Sequence, residues 1–278
     1  MLKITIITPT KNSEKYIINN LWSVHRSQGP SLDLEQIIVD SESTDKTIKL
    51  IEDFKNKYNS KIKIIVKKDN SMYEAINTAL NQEIGDVWAC LNADDIYYPF
   101  TLRKILKVFL ENPSIDVVCA PLAWCKHGKI KQIVYCPTFN LEYMIRTQSC
   151  IMYQPSTFLR RDVVKKIGLF NTQYKYASDY DYQVRLGQSC ILKRLDYPTT
   201  IYMDHDSSLS RLQSNVQALE TQTIAYHYKH VLALPSSSMM IYDELTRLQQ
   251  FKGKYFLALP RRIKKNIVNK IIKKQDLK

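Results

Sequence analysis

The sequence predicts an α/β fold, a mostly parallel sheet flanked by helices, with a C-terminal helical extension. Two patterns carry this. Over residues 1–120, short apolar runs alternate with amphipathic stretches of helical period. Two of the apolar runs also end in acidic loops: Ile37-Ile38-Val39 runs into Asp40, and Val87-Trp88-Ala89-Cys90-Leu91 into Asn92-Ala93-Asp94-Asp95. Ligands of open α/β sheets bind beyond the carboxyl ends of strands, so such strands are expected to serve a site.

The elements follow in order. Leu2–Thr8 reads as a buried strand, and Glu14–Arg26 as a helix with Ile17, Leu21 and Val24 at helical spacing. Leu34–Asp40 is a second strand. Asp45–Tyr58 is a helix with Ile48, Ile51 and Phe54 inward and Ser43 or Thr44 as N-cap. Strand Ile62–Lys67, helix Met72–Gln82, strand Val87–Leu91, a helix over Phe100–Leu110 ended by Asn112-Pro113, and strand Ile115–Ala120 continue the alternation. Beyond residue 120 the pattern loosens. Lys129–Tyr135 and Ser156–Leu159 read as extended. Leu141–Arg146, Arg161–Ile167 and Ser178–Gly187 read as helices, and Ile191–Leu195 and Thr200–Met203 as strands. Helices are expected over Ser214–His230, Tyr242–Phe251 and Pro260–Lys274, the last with Pro at its start. This divides the chain into a sheet half over 1–120, a second half of the same domain over 121–210, and C-terminal helices over 211–278.

Bulk properties bound the function. The 278 residues are 45% hydrophobic, enough for a substantial core. No apolar run approaches the ~20 residues of a membrane span, and the first residues enter a strand directly, so no signal peptide is expected. The six cysteines form no CxxC pair and no zinc spacing, which predicts reduced thiols and a cytoplasmic setting. The formal charge is +13, but residues 251–278 hold ten Lys/Arg against one acid. A near-neutral body argues against nucleic acid as partner.

Three acidic clusters carry the chemistry. Asp40 ends a strand, where a carboxylate can accept hydrogen bonds from a base or ribose; Asp45, just beyond, also suits simple helix capping. Asp94 and Asp95 are adjacent carboxylates that repel unless a cation sits beside them. Hard divalent cations take such oxygens and leave positions for phosphate, where they neutralise a departing diphosphate. The other reading is a solvated turn capped by Asp95. Asp179 lies near a helix start, where the dipole favours an acid in any case. Asp181 faces elsewhere, with Arg185 at i+4 as its ion-pair partner. Thr8-Pro9-Thr10-Lys11-Asn12 places polar residues at the end of the first strand. Trp124 and His127 fall on the acceptor side, where a core or surface role is the first expectation.

Together these segments resemble the family 2 inverting glycosyltransferases of the GT-A fold. Val39-Asp40-Ser41-Glu42-Ser43-Thr44-Asp45-Lys46-Thr47 is similar to the family's V-D-x-x-S-x-D-x-T segment. Lys68 to Asn77 is similar to its D-x-G-x-Y-D-A-x-N segment, with Ser71 for the usual Gly and Glu74 for the usual Asp. Leu91-Asn92-Ala93-Asp94-Asp95 resembles the metal-binding D-x-D type, with Asn92 at an acidic position. Gln154–Phe158, Gly168–Asn171, Ala177–Asp181 and His205–Ser210 follow in the family's order, so the resemblance covers about residues 1–210.

The resemblance implies a nucleotide-diphosphate sugar donor, UDP-linked by preference, Mn²⁺ or Mg²⁺, and a saccharide or lipid-linked saccharide acceptor in bacterial surface polysaccharide synthesis. It implies that Asp40 contacts the base, with Thr8 and Pro9 flanking it, and that Asp69 sits by the nucleoside. Asp94 and Asp95 would bind ribose and metal, His205 would reach the metal or diphosphate, and Asp179 would be the catalytic base. Inversion asks for one carboxylate opposite the leaving group, which Asp179 can supply. Two other classes stay open: a sugar-nucleotide-binding protein without catalysis, suggested by Asn92 and Glu74, and an anionic-surface or nucleic-acid binder, suggested by the tail. There, Ile263, Ile267 and Ile271 form one helical face among Arg262, Lys265, Lys270 and Lys273, which suits an anionic membrane surface at the inner face of the plasma membrane.

Overall fold

In the first strand, β1 (Lys3–Thr10), successive side chains alternate between two cores. Ile7 packs in one cluster with Ile37, Trp88 and Tyr73, and Ile4 and Ile6 pack in another with Ala89, Leu102 and Phe109. Both faces of the sheet are therefore covered, as apolar strands without a polar face require. The computed structural model describes residues 2–27, 32–205 and 214–232. These belong to the unit Met1–Ala233. The expected helices over 242–251 and 260–274, the basic tail, and most of the segment from His205 to Ser210 lie outside the described residues.

After β1 come α1 (Ile17–Arg26), β2 (Asp33–Asp40), α2 (Thr47–Tyr58), β3 (Ile62–Val66), α3 (Met72–Leu80) and β4 (Val87–Cys90). Then follow β5 (Ile96–Tyr97), α4 (Thr101–Glu111), β6 (Val117–Cys119), β7 (Leu122–Lys126), β8 (Lys129–Val134) and α5 (Leu141–Thr147). A single 3₁₀ turn over Gln154–Ser156 leads into β9 (Thr157–Arg160). The described chain ends with α6 (Asp162–Ile167), α7 (Ser178–Ser189), β10 (Leu192–Arg194), β11 (Thr200–Asp204) and α8 (Ser214–Val231).

The main sheet has seven strands in the order β10-β6-β9-β4-β1-β2-β3. Its pairings are parallel except for β9, which runs antiparallel to both β4 and β6. Register fixes the functional edge: Thr10 lies opposite Asp40, Asp40 opposite Val66, and Ile7 opposite Cys90. The loops after β1, β2, β3 and β4 therefore leave from one side.

A second sheet of four strands, β5-β11-β7-β8, was not legible in the sequence. β5 has two residues, and β7 follows Pro121 with no turn residue to announce it. The β7–β8 hairpin turns through His127 and Gly128, both at positive φ (50° and 71°), the conformation that a two-residue hairpin needs. His127 is exposed there, and Trp124 is half-buried in β7.

Helix starts shift by two or three residues for a local reason. The loop before α1 is pinned to the loop before α2: Asn12 N–H donates to Ser43 Oγ, Ser13 N–H to Thr47 Oγ1, and Glu14 N–H to Asp45 Oδ2. Asp45 accepts from the Thr47 N–H at 2.9 Å, so it caps α2 rather than starting it.

A buried polar chain joins the layers. Gln36 Nε2 donates to Thr8 Oγ1 and to Asn20 Oδ1, each at 2.9 Å. Asn20 Nδ2 donates to the Asn92 carbonyl at 2.8 Å and to the Asp95 carbonyl at 3.1 Å. Asn20 is fully buried, so Asn20→Ala strands the Asp95 carbonyl and one Gln36 amide hydrogen, and leaves the Asn92 carbonyl with the Asp95 N–H alone. We expect a loss of about 2–4 kcal/mol, read in urea unfolding as a lower midpoint at unchanged m. A midpoint equal to wild type would remove the chain's structural importance.

Candidate active site

The edge begins with the Asp40 turn. Asp40 is fully buried, and its Oδ1 and Oδ2 accept from the Ser43 N–H (2.7 Å) and the Ser43 hydroxyl (2.6 Å). Ser41 links this turn to its neighbours: its N–H donates to the Thr10 carbonyl, and its hydroxyl lies 3.2 Å from the Asp69 N–H. Thr8 is buried with its hydroxyl turned inward to Gln36, and Pro9 is buried beside it. Thr10 carries the buried hydroxyl at the strand end, with no hydrogen-bond partner.

Asp69 is different in kind. Its side chain is 2% exposed, both carboxylate oxygens lack a hydrogen bond, and the Lys67 ammonium stands 3.8 Å away. Burial raises its pKa above the ordinary carboxylate value, with Lys67 opposing.

The loop after β4 separates its two carboxylates. Asp95 is fully buried and accepts from the Met203 N–H of β11 at 3.0 Å. Burial, reinforced by the adjacent Asp94 charge, pushes it well above the carboxylate range. Asp94 is half-buried, and its Oδ2 lies 2.9 Å from His205 Nε2. The His205 ring stacks on Tyr16 at 4.7 Å between centroids. The structure thus brings Asp94 and His205 together and turns Asp95 inward to hold β11.

Asp179 lies in the first turn of α7. Its Oδ1 accepts from the Tyr73 hydroxyl at 2.9 Å and from the Tyr180 N–H. It borders a cavity of about 30 Å³ walled mainly by Trp88, Phe170 and Tyr182. Burial raises its pKa, and the Tyr73 and Tyr180 hydrogen bonds restrain the rise. Asp181 instead pairs with Arg185 (2.7 Å) and accepts from the Tyr228 hydroxyl.

Tyr73 reaches Asp179 from the first turn of α3, and the residues around it explain two unusual positions. Ser71 caps α3 by accepting from the Glu74 N–H, while Glu74 reaches back to the Asn70 N–H at 2.9 Å. The pair is a variant of the S-x-x-E capping box, a signal present in the sequence. Tyr73 stands at the Tyr of the matched D-x-G-x-Y-D-A-x-N segment, whereas Tyr16 and Asn20 had no signal of their own.

A family model described as "Glycosyl transferase family 2" matches residues 5–168, more than half of the chain. The poly(ribitol-phosphate) β-N-acetylglucosaminyltransferase TarS of Staphylococcus aureus is 27% identical over 180 residues, 64% of this chain and 31% of that protein. The minor teichoic acid biosynthesis protein GgaA of Bacillus subtilis is 26% identical over 182 residues, 63% of this chain and 41% of that protein. The chain therefore spans less than half the length of either relative. Among solved structures, residues 1–349 of S. aureus TarS superpose with a TM-score of 0.60 at 25% identity, covering 72% of this chain and 60% of that one. The fold is that of the GT-A glycosyltransferases.

Asp69 generates a prediction that separates stability from function. A carboxyl whose folded pKa is raised opposes folding above that pKa, and the penalty vanishes as pH falls through the ordinary carboxylate range. Asp69→Asn should stabilise the protein near neutral pH by on the order of 1 kcal/mol, with no gain at pH 3. A lower thermal midpoint at neutral pH would show that the charge is satisfied.

Proposed function

We propose that this chain, which belongs to glycosyl transferase family 2, moves a sugar with inversion from a nucleoside-diphosphate donor to an acceptor hydroxyl. The polymer served would be a bacterial surface polysaccharide, a reading supported by relatives named for teichoic acid synthesis. The observation that carries it is the Tyr73–Asp179 hydrogen bond. It ties the helix bearing Asp179 to the start of α3, which follows the loop that carries Asp69.

Asp40 and Asp69 would receive the nucleoside, with Thr8 and Pro9 forming the floor beneath it. The donor set suits a divalent cation: one carboxylate and one imidazole, 2.9 Å apart and both partly exposed. Among the described residues no group of three or more His, Cys, Asp or Glu is placed to hold a metal ion. Asp94 and His205 would hold Mn²⁺ or Mg²⁺, and Asp95 would serve by fixing the loop. The cation would neutralise charge on the departing diphosphate.

Asp179 acts on the other reactant. It accepts the proton of the acceptor hydroxyl as that oxygen attacks the anomeric carbon from the face opposite the diphosphate. The carbon–oxygen bond to phosphate breaks, and its electron pair leaves with the nucleotide. A raised pKa suits this step, since it makes the carboxylate a stronger base.

No described helix is long and apolar enough to cross a membrane. The basic tail, outside the described residues, would bring the enzyme to an anionic membrane surface where a lipid-linked acceptor is presented.

A panel of UDP-N-acetylglucosamine, UDP-glucose, GDP-mannose and dTDP-glucose with and without Mn²⁺ tests the class through nucleotide release. We expect one metal-dependent donor, with Asp94→Ala weakening it and Asp179→Asn lowering turnover by about 10²–10⁴-fold while donor binding stays. Binding without turnover in the wild type would instead favour a non-catalytic sugar-nucleotide binder. No binding at all would favour an anionic-surface binder.

The pH profile provides a second check. Activity is lost as pH falls through the pKa of the base. Removing the Tyr73 hydroxyl takes away a hydrogen bond that lowers this pKa, so Tyr73→Phe should move the acid limb of kcat/KM to higher pH. An unmoved limb would mean that Asp179 is not the titrating base.

A further inference from the structure

The turn that delivers Asp179 is held from outside the family match, which ends at residue 168. Glu220 of α8 accepts three consecutive backbone N–H groups at the entrance to α7: Lys175 at 2.9 Å, Tyr176 at 2.7 Å and Ala177 at 2.8 Å. Gln217, one turn earlier on α8, donates to the Tyr176 carbonyl at 3.1 Å. The Tyr73 hydroxyl, already bonded to Asp179, lies 3.4 Å from the same carbonyl. Two turns beyond Glu220, the Tyr228 hydroxyl reaches Asp181 at 3.0 Å.

The pattern along α8 argues for a role beyond packing. Its less exposed residues are Gln217, Glu220, Thr221, Ile224, Ala225 and Tyr228, the spacing of one helical face. Only Ile224 and Ala225 are buried apolar groups. A helix docked for stability alone would present a wider apolar stripe. This one spends three polar side chains on residues 175–181, the stretch that contains Asp179. Backbone N–H groups before a helix have no partner within it, and a carboxylate accepting several makes charge-assisted bonds that fix their geometry.

We infer that α8 is part of the catalytic apparatus, with Glu220 as a positioning residue that sets the place of Asp179 through the 175–177 turn. The inference rests on Asp179 being the base. Glu220 also acts through space: its negative charge favours the protonated form of Asp179. The titratable groups facing Asp179 are Tyr73 from α3, Cys150 from the segment before the 3₁₀ turn, and Glu220 from α8. Removing the Glu220 charge therefore lowers the pKa of Asp179, opposite in sign to the Tyr73→Phe effect.

The test uses the full chain and nucleotide release from whichever of UDP-N-acetylglucosamine, UDP-glucose or GDP-mannose the wild type turns over. Glu220→Ala should lower kcat by about 10²-fold, leave donor KM within about twofold, and raise amide exchange in 175–181 alone. Glu220→Gln, which keeps an acceptor and the fold, should lose less kcat and shift the acid limb to lower pH. Glu220→Asp, with its shorter reach, should keep the limb near wild type while losing kcat. An unmoved limb in Glu220→Gln, or a donor KM that rises in step with the loss of kcat, would overturn the inference and leave α8 a structural brace. The two readings fail differently. An Asp179→Asn enzyme that still turns over, or a wild type inert to all three donors, removes the base and this inference with it. An inert Asp179→Asn beside a wild-type-like Glu220→Gln removes this inference alone.

Discussion

The site depends first on one buried amide. After β4 the chain leaves the sheet, and the carbonyls of the 91–95 loop lose their ladder partners. Buried carbonyls need donors, and a primary amide is the smallest side chain that offers two. Asn20 spends both on this loop, on the carbonyls of Asn92 and Asp95. Its own oxygen is occupied by Gln36, which also holds Thr8. A single connected set of hydrogen bonds thus relates β1, β2, α1 and the Asp94 loop. Asp94 sits between the two anchored carbonyls, so its position is inherited from Asn20.

The acidic groups then differ in how far their oxygens are satisfied. Asp40, Asp45 and Asp181 have both oxygens engaged by N–H, hydroxyl or guanidinium groups. Asp95 is engaged across sheets by Met203. Asp69 has no hydrogen bond to its carboxylate, and Asp179 is held by Tyr73 and Tyr180 under burial that raises its pKa. Buried carboxylates that remain costly to ionise gather where a ligand or a reaction can use them. The protein tolerates Asp69 and Asp179 in that condition within the same edge.

Much of this was legible in the sequence, and the illegible parts have specific causes. The parallel strands were readable because β1, β2 and β4 are apolar on both faces and run into acidic loops. The second sheet was not, since β5 has two residues and both β5 and β7 pair with β11, whose Thr200 is 103 residues beyond Tyr97 and 78 beyond Leu122. Asp94 and Asp95 could not be separated from their spacing, because which neighbour faces outward is decided by β11. Thr8 was read beside the base; Gln36 engages its hydroxyl, and Thr10, on the same strand face, carries the unpartnered hydroxyl at the strand end. Ser71 and Glu74 looked like departures from a family pattern, yet together they form an N-terminal cap that keeps α3 and Tyr73 in place.

The order of contacts along the chain has a kinetic consequence. The Asp40–Asp69 edge is assembled from βα units whose loops lie near one another in sequence: Asn12 with Ser43 and Ser41 with Asp69, about thirty residues apart. The proposed base and cation ligands are joined over far longer spans. Tyr73 and Asp179 are 106 residues apart, Asp95 and Met203 are 108 apart, and Asp94 and His205 are 111 apart. Loop closure makes such pairs the slower ones to form, because their entropy is lost before their contacts repay it. On loop-closure grounds the Asp40–Asp69 edge is the cheaper part to assemble, and the contacts that bring Asp179 and His205 to it carry the larger entropic cost.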